Sequence, residues 1–278
     1  MSSHTVTVLT QDKFALPIQI HSPKQTPKGV IVYYHGGGLI AGTPHDLPPE
    51  VIALFTEHFY LAEAPYRLAP EAKIDTIMSD ALCVFDAVFA KYPDLPCFTF
   101  GRSSGGFLAL QAACQCNVQG VLDFYGFAQV ALPELIQPHA AFRQMTAHLN
   151  EAMIQFMIQP EPIIEGHAQF RYPLYLYTRG QGQWFDYTGI TDEMRHTLNL
   201  DNASLKQLPP VFIAHAKRDI DVPYHESLRL MQHAAHAELV AVDSDAHDFD
   251  RTFNTEAEAV YLKAVKFLHQ WADAYSLN

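Results

Sequence analysis

No stretch of the 278-residue chain approaches the roughly 18 consecutive apolar residues of a membrane-spanning helix, and the opening MSSHTVTVLT has neither the basic nor the apolar region of a secretion signal. A cytoplasmic location is the expectation. Basic residues are few, with 18 Lys and Arg against 30 Asp and Glu and a formal charge of -12. Nucleic acid and anionic membranes would both be repelled, so the expected partner is a small molecule, and association into a homodimer is left open. Cysteine is scarce as well. Cys83, Cys97, Cys114 and Cys116 lie in apolar contexts without metal-ligand spacing, and Cys114 and Cys116 on a predicted helix point to different faces. Buried free thiols are expected, with no metal and no organic cofactor.

Apolar residues make up 49% of the chain, ample for a large α/β core. Thr5–Leu9 and Phe14–Ile20 alternate as an antiparallel hairpin does. Val30–Tyr34 is a continuous apolar run, as expected of a strand covered on both faces. Pro48–His58 reads as a helix, Phe59–Ala64 as a strand, Asp75–Tyr92 as a helix with apolar residues at helical period, and Gln119–Tyr125 as another buried strand. This alternation predicts a mostly parallel sheet with helices on both faces. From Ala128 to about Leu208 the rhythm changes, with a helix over Phe142–Ile158 and the segment RYPLYLYTRGQGQWFDYTG. Residues 128–208 are read as an inserted cap, and 1–127 with 209–278 as the core; Phe142, Trp184, Phe185 and Tyr187 are read as packing. The core resumes with the strand VFIAH after Pro210, a helix over Tyr224–His236, a strand over Ala237–Val242 and an amphipathic helix over Thr255–Tyr275.

Three segments carry chemistry. In Gly101-Arg102-Ser103-Ser104-Gly105, a β-rich run meets a helical pattern, and small residues two before and two after Ser103 permit a sharp strand-to-helix turn that exposes its hydroxyl. The Ser104 N–H, at the first turn of that helix, is placed to donate to a developing oxyanion. In the second segment, the Val30–Tyr34 strand ends directly in His35-Gly36-Gly37-Gly38, where bare N–H groups can approach a ligand closely. The third is the pair of loops after the last two strands, which hold Asp219 and His247. A serine nucleophile needs a histidine base, and the base needs a carboxylate to fix its tautomer. Asp221 competes with Asp219 for that role. His215 competes with His247 by location but is expected to point beside the acid. Asp243, Asp245, Asp248 and Asp250 are read as a solvated acidic loop, lacking the glycine-turned pattern of a Ca²⁺ site.

Together these motifs resemble the hormone-sensitive-lipase-like branch of the α/β-hydrolase superfamily. His35 to Gly38 is similar to its oxyanion motif, Tyr66-Arg67-Leu68-Ala69-Pro70-Glu71 to its YRLAPE stretch, and Gly101 to Gly106 to its serine turn. Asp219 with Val222-Pro223 resembles its acid motif and His247-Asp248-Phe249 its histidine motif. The resemblance implies an α/β-hydrolase fold, a triad of Ser103, Asp219 and His247, and an oxyanion hole of Gly37, Gly38 and Ser104. It implies a serine carboxylesterase acting on small, soluble short-chain esters. A peptidase or amidase on the same scaffold is the alternative, as is a ligand-binding relative that lost catalysis, against which the presence of His247 speaks. Two departures stand out: Arg102 and Ser104 replace the Asp and Ala usual beside the nucleophile, and the chain reaches its first strand almost at once, so a reduced cap and a more open site are expected.

Overall fold

The alternating residues at the N-terminus pair as β1 (Ser3–Leu9) and β2 (Ala15–His21), antiparallel with Val6 opposite Ile18. They do so in a computed structural model that describes residues 2–166 and 168–276. β3 (Gly29–Tyr34), α1 (Pro49–Phe55), β4 (Phe59–Ala64), α2 (Ile74–Lys91), β5 (Cys97–Arg102), α3 (Ser104–Gln115) and β6 (Gly120–Phe124) follow. A long insertion comes next, helical among the described residues: α4 (Pro133–Ile136), α5 (Ala140–Met145), α6 (Glu151–Met157), α7 (Ala168–Gln181), α8 (Trp184–Thr188), α9 (Asp192–Leu198) and α10 (Asn202–Gln207). The core then closes with β7 (Val211–Ala216), α11 (His225–His233), β8 (Ala237–Val242) and α12 (Thr255–Tyr275).

The 8-stranded sheet runs β1-β2-β4-β3-β5-β6-β7-β8, parallel from β4 to β8 and antiparallel at the hairpin end. Period-two side chains divide β3 between two cores. Val30, Val32 and Tyr34 pack on the side of α2 and α3, whereas Ile31 and Tyr33 pack on the side of α1 and α12. Each fully buried aliphatic of this strand contributes about 1.5–3 kcal/mol. Because β3, β5, β7 and β8 are parallel, the loops leaving their C-terminal ends open on one sheet edge, where α/β folds gather ligands.

Two expectations need correction. The single helix over Phe142–Ile158 is two, α5 and α6, because the Asn150 side chain caps α6 by accepting from the Met153 N–H at 3.0 Å and restarts the chain direction. The four cysteines are free, but only Cys97 is buried; Cys83 and Cys116 are half-buried, and Cys114 faces solvent near the end of α3.

Candidate active site

Ser103 sits between β5 and α3 with φ 56° and ψ -122°, a strained conformation that turns its side chain out of the sheet. The turn is possible because its neighbours lack side chains. A Cβ on Gly101 would lie 1.9 Å from the Gly105 carbonyl oxygen, and one on Gly105 would lie 2.1 Å from that of Tyr34. The Ser103 N–H donates to the Phe124 carbonyl at 2.8 Å, which ties the turn to β6.

The loops after β7 and β8 bring Asp219 and His247 to this serine. His247 Nε2 lies 2.8 Å from Ser103 Oγ, and His247 Nδ1 lies 2.5 Å from Asp219 Oδ2. The other carboxylate oxygen, Asp219 Oδ1, accepts the N–H groups of Asp221 at 2.7 Å and Val222 at 3.1 Å. Burial opposes the charged imidazolium, but the facing Asp219 carboxylate outweighs it and holds the His247 pKa above its ordinary value. Burial likewise opposes the Asp219 charge, and the two histidines outweigh it, holding that carboxyl well below the usual range. Asp221 is directed elsewhere, accepting from Tyr175 Oη at 2.6 Å and pairing with Arg179. The geometry thus separates the two aspartates, and His215 reaches Asp219 rather than Ser103.

The glycine loop after β3 lies beside the serine. Gly37 and Gly38 have φ of 107° and 63°, and among the described residues neither N–H is engaged in an internal hydrogen bond. The loop is held from several directions. Leu39 N–H donates to Ser104 Oγ at 3.2 Å, Trp184 Nε1 to the Gly38 carbonyl at 2.8 Å, and Arg171 Nε to the Ile40 carbonyl at 2.9 Å. Arg171 is itself paired with Glu71, the last residue of the YRLAPE stretch. Ser103, His247 and the glycines line a cavity of about 640 Å³, to which the insertion adds Phe142, Tyr172 and Tyr175. Among the described residues no cluster of three or more His, Cys, Asp or Glu could hold a metal ion, and no helix is long and apolar enough to cross a membrane.

Residues 31–251 match the family described as having the α/β-hydrolase fold. The chain belongs to that family. A solved protein of unknown function from Staphylococcus aureus subsp. aureus Mu50 is 41% identical, with a TM-score of 0.94 over 97% of this chain and 99% of its own. An α/β-hydrolase superfamily protein from Enterococcus faecalis is 23% identical, with a TM-score of 0.82 over 97% of this chain and 100% of its own. An esterase from Pyrobaculum calidifontis shares the fold at 17% identity and a TM-score of 0.67, over 98% of this chain and 85% of its own. Among curated proteins none matches.

The α/β-hydrolase differs from its sequence reading beside the nucleophile. The Arg102 guanidinium is buried: Nη2 donates to Asp250 Oδ1 at 3.0 Å, Nη1 to Asp46 Oδ2 at 3.3 Å and Nε to Tyr125 Oη at 2.7 Å. Asp250 also accepts from Tyr125 Oη at 2.6 Å and Tyr261 Oη at 2.5 Å. Asp250 is therefore not part of a solvated loop but a fully buried counter-ion, and the cation beside Ser103 is neutralised. Phe142, read as packing, lines the cavity, and Trp184 binds the glycine loop while packing on Phe127. Tyr175 and Arg179 drew no notice in sequence. Apart from the bond between them, Arg179 Nη1 to Tyr175 Oη at 2.6 Å, their side-chain hydrogen-bond partners lie more than forty residues away, and the one signal was a run of aromatic and basic residues in a segment without strand pattern.

Proposed function

We propose that this α/β-hydrolase is a serine carboxylesterase acting on small, soluble short-chain acyl esters. The observation that carries the reading is the continuous hydrogen-bonded row Ser103 Oγ, His247, Asp219, with spacings of 2.8 and 2.5 Å, set at a cavity beside the unengaged N–H groups of Gly37 and Gly38. His247 Nε2 takes the Ser103 proton as Oγ bonds to the ester carbonyl carbon, and the carbonyl π pair moves to oxygen. That oxygen accepts hydrogen bonds from Gly37, Gly38 and Ser104 N–H, groups fixed before the charge develops. Collapse breaks the bond to the alcohol, which leaves with the proton from His247. Water then repeats the sequence on the acyl-serine, and Asp219 holds the imidazole in its tautomer throughout.

Residues 128–208 act as a cap, since their Phe142, Tyr172 and Tyr175 form one wall of the cavity. A cavity of about 640 Å³ has room for a small ester. The test is hydrolysis of p-nitrophenyl esters from acetyl to long acyl, with matched anilides, by the wild type and Ser103→Ala. Turnover of short esters that disappears in Ser103→Ala is the expected result. Activity surviving in Ser103→Ala removes Ser103 from the reading; faster cleavage of anilides than esters replaces it with an amidase.

A further inference from the structure

Asp219 is gripped by two histidines, only one of which faces the nucleophile. Its Oδ2 lies 2.5 Å from His247 Nδ1 and 3.0 Å from His215 Nε2. The same His215 nitrogen lies 3.1 Å from the Val222 carbonyl oxygen. An ionised carboxylate and a carbonyl only accept, so His215 Nε2 must carry a hydrogen. Its Nδ1 lies 2.6 Å from Ser227 Oγ, and a hydroxyl can donate there. A neutral imidazole protonated on Nε2 satisfies every partner: Ser227 donates to Nδ1, and Nε2–H is shared between Asp219 and Val222. All of this is sealed, with His215 0% and Ser227 1% exposed.

This arrangement fills the carboxylate. Two backbone N–H groups occupy Oδ1 and two imidazole N–H groups occupy Oδ2, matching the roughly four acceptor positions of an ionised carboxylate. We infer that His215, oriented by Ser227, is a positioning residue that locks the plane of the Asp219 carboxylate and thereby the orientation and basicity of His247. The inference rests on the esterase reading and goes one contact beyond it. Without the His215 donor, more of the Asp219 charge falls on the His247 Nδ1–H, so His247 holds its proton more tightly, and the carboxylate is free to swing. The other groups facing His247 are Asp221, Asp248 and the Tyr125 ring, and Tyr224 stands edge-on to His215. None of these changes in the variants below.

The experiment compares wild type, His215→Leu, His215→Gln and Ser227→Ala. It measures kcat and KM on p-nitrophenyl acetate, the pH profile of kcat/KM, and the His247 titration followed by imidazole NMR, which needs no substrate. In His215→Leu, kcat is expected to fall about 10- to 100-fold, the loss of a hydrogen bond to a charged group, with KM little changed. The acid limb and the NMR titration should both move to higher pH. Ser227→Ala should move both in the same direction by less, and His215→Gln, whose amide can donate, should restore them. A folded His215→Leu with wild-type kcat and titration overturns the inference. So do equal losses in the Leu and Gln variants with an unmoved titration, which would mean packing alone. If His215→Leu does not fold, an unmoved titration in Ser227→Ala overturns it. Failure of the esterase reading shows separately, as no loss in Ser103→Ala or no ester turnover, and the NMR arm still decides the role of His215.

Discussion

Trp184 Nε1 donates to the Gly38 carbonyl at 2.8 Å, a bond between residues 146 positions apart that joins the insertion to the candidate oxyanion loop. The bond orients the Gly38–Leu39 peptide, and a Cβ on Gly38 would meet the Tyr175 ring at 2.0 Å, so α7 and α8 together set where the loop lies. Trp184→Phe keeps most of the ring packing and removes the donor. Its kcat on a short ester should fall about tenfold, or ~1.4 kcal/mol of barrier, with KM within about twofold. Steady-state kinetics well below the unfolding midpoint check this; an unchanged kcat would mean that the loop holds its position unaided.

The pH dependence follows from His247. As a base it must be neutral, and its pKa is raised above the ordinary 6.5, so the acid limb of kcat/KM should have its midpoint above that value. The same shift has the opposite sign for stability. A group with a raised folded pKa stabilises fully below its unfolded pKa and loses that contribution as pH rises through the folded one. Activity should therefore grow across the window in which this contribution to Tm fades. Asp219, whose folded pKa is depressed, stabilises above its unfolded pKa of 3.8 and loses that contribution only as pH falls far below it. Profiles of kcat/KM and Tm over the same buffers test both signs.

Arg102 and Asp250 form an ion pair whose side chains are 7% and 0% exposed. Asp250→Asn leaves the guanidinium with only the more distant Asp46 as a full charge partner. Breaking a buried pair in this way costs about 3–5 kcal/mol. Tyr125 touches both this pair and the His247 ring, whose centroid is 4.8 Å away, so activity should fall along with stability. The double variant Arg102→Met/Asp250→Asn should recover part of the stability. Urea unfolding of the singles and the double measures the coupling, and purely additive losses would count against the pair.

Asp123 on β6 is buried with Oδ1 lacking a hydrogen-bond partner, and burial pushes its pKa up to about 7. The folded protein then binds a proton that the unfolded chain releases near 3.8, so this residue lowers stability as pH rises from about 4 towards 7. Asp123→Asn keeps the shape without the charge. It should raise Tm at pH above 7, by about 2 °C or more, and the gain should vanish near pH 4. Thermal melts at both pH values decide it.

The succession of strands along the chain and the serine turn were legible in sequence because each depends on local spacing. Gly101 and Gly105 flank Ser103 at fixed distance, and the apolar runs of β3, β5 and β6 are those of strands buried on both faces. The grouping of Ser103, Asp219 and His247 followed from parallel strands that end on one edge. The motif resemblance favours Asp219 over Asp221, but both lie in one tight loop, and the spacing alone does not show the backbone N–H groups that fold onto Asp219 Oδ1. Asp250 looked like one of four solvated carboxylates because its partners come from β5, the residue after β6, and α12. The loop supports from Arg171, Tyr175 and Trp184 were hidden for the same reason: they depend on where an irregular insertion docks, which no local pattern encodes.

Asp219 and its immediate partners other than His247 are written in one continuous stretch, since His215, Asp219, the N–H groups of Asp221 and Val222, and the Ser227 that meets His215 run from the end of β7 into the first turn of α11. The oxyanion side instead borrows its supports from α3, α7 and α8. Heat or denaturant that loosens the insertion would therefore strip the oxyanion loop of its Arg171 and Trp184 supports and the acid loop of its Tyr175 and Arg179 contacts to Asp221, while Asp219 kept its own bonds to His215 and His247. Such a protein would lose turnover before it lost its fold, and inactivation would begin at the periphery rather than at the nucleophile.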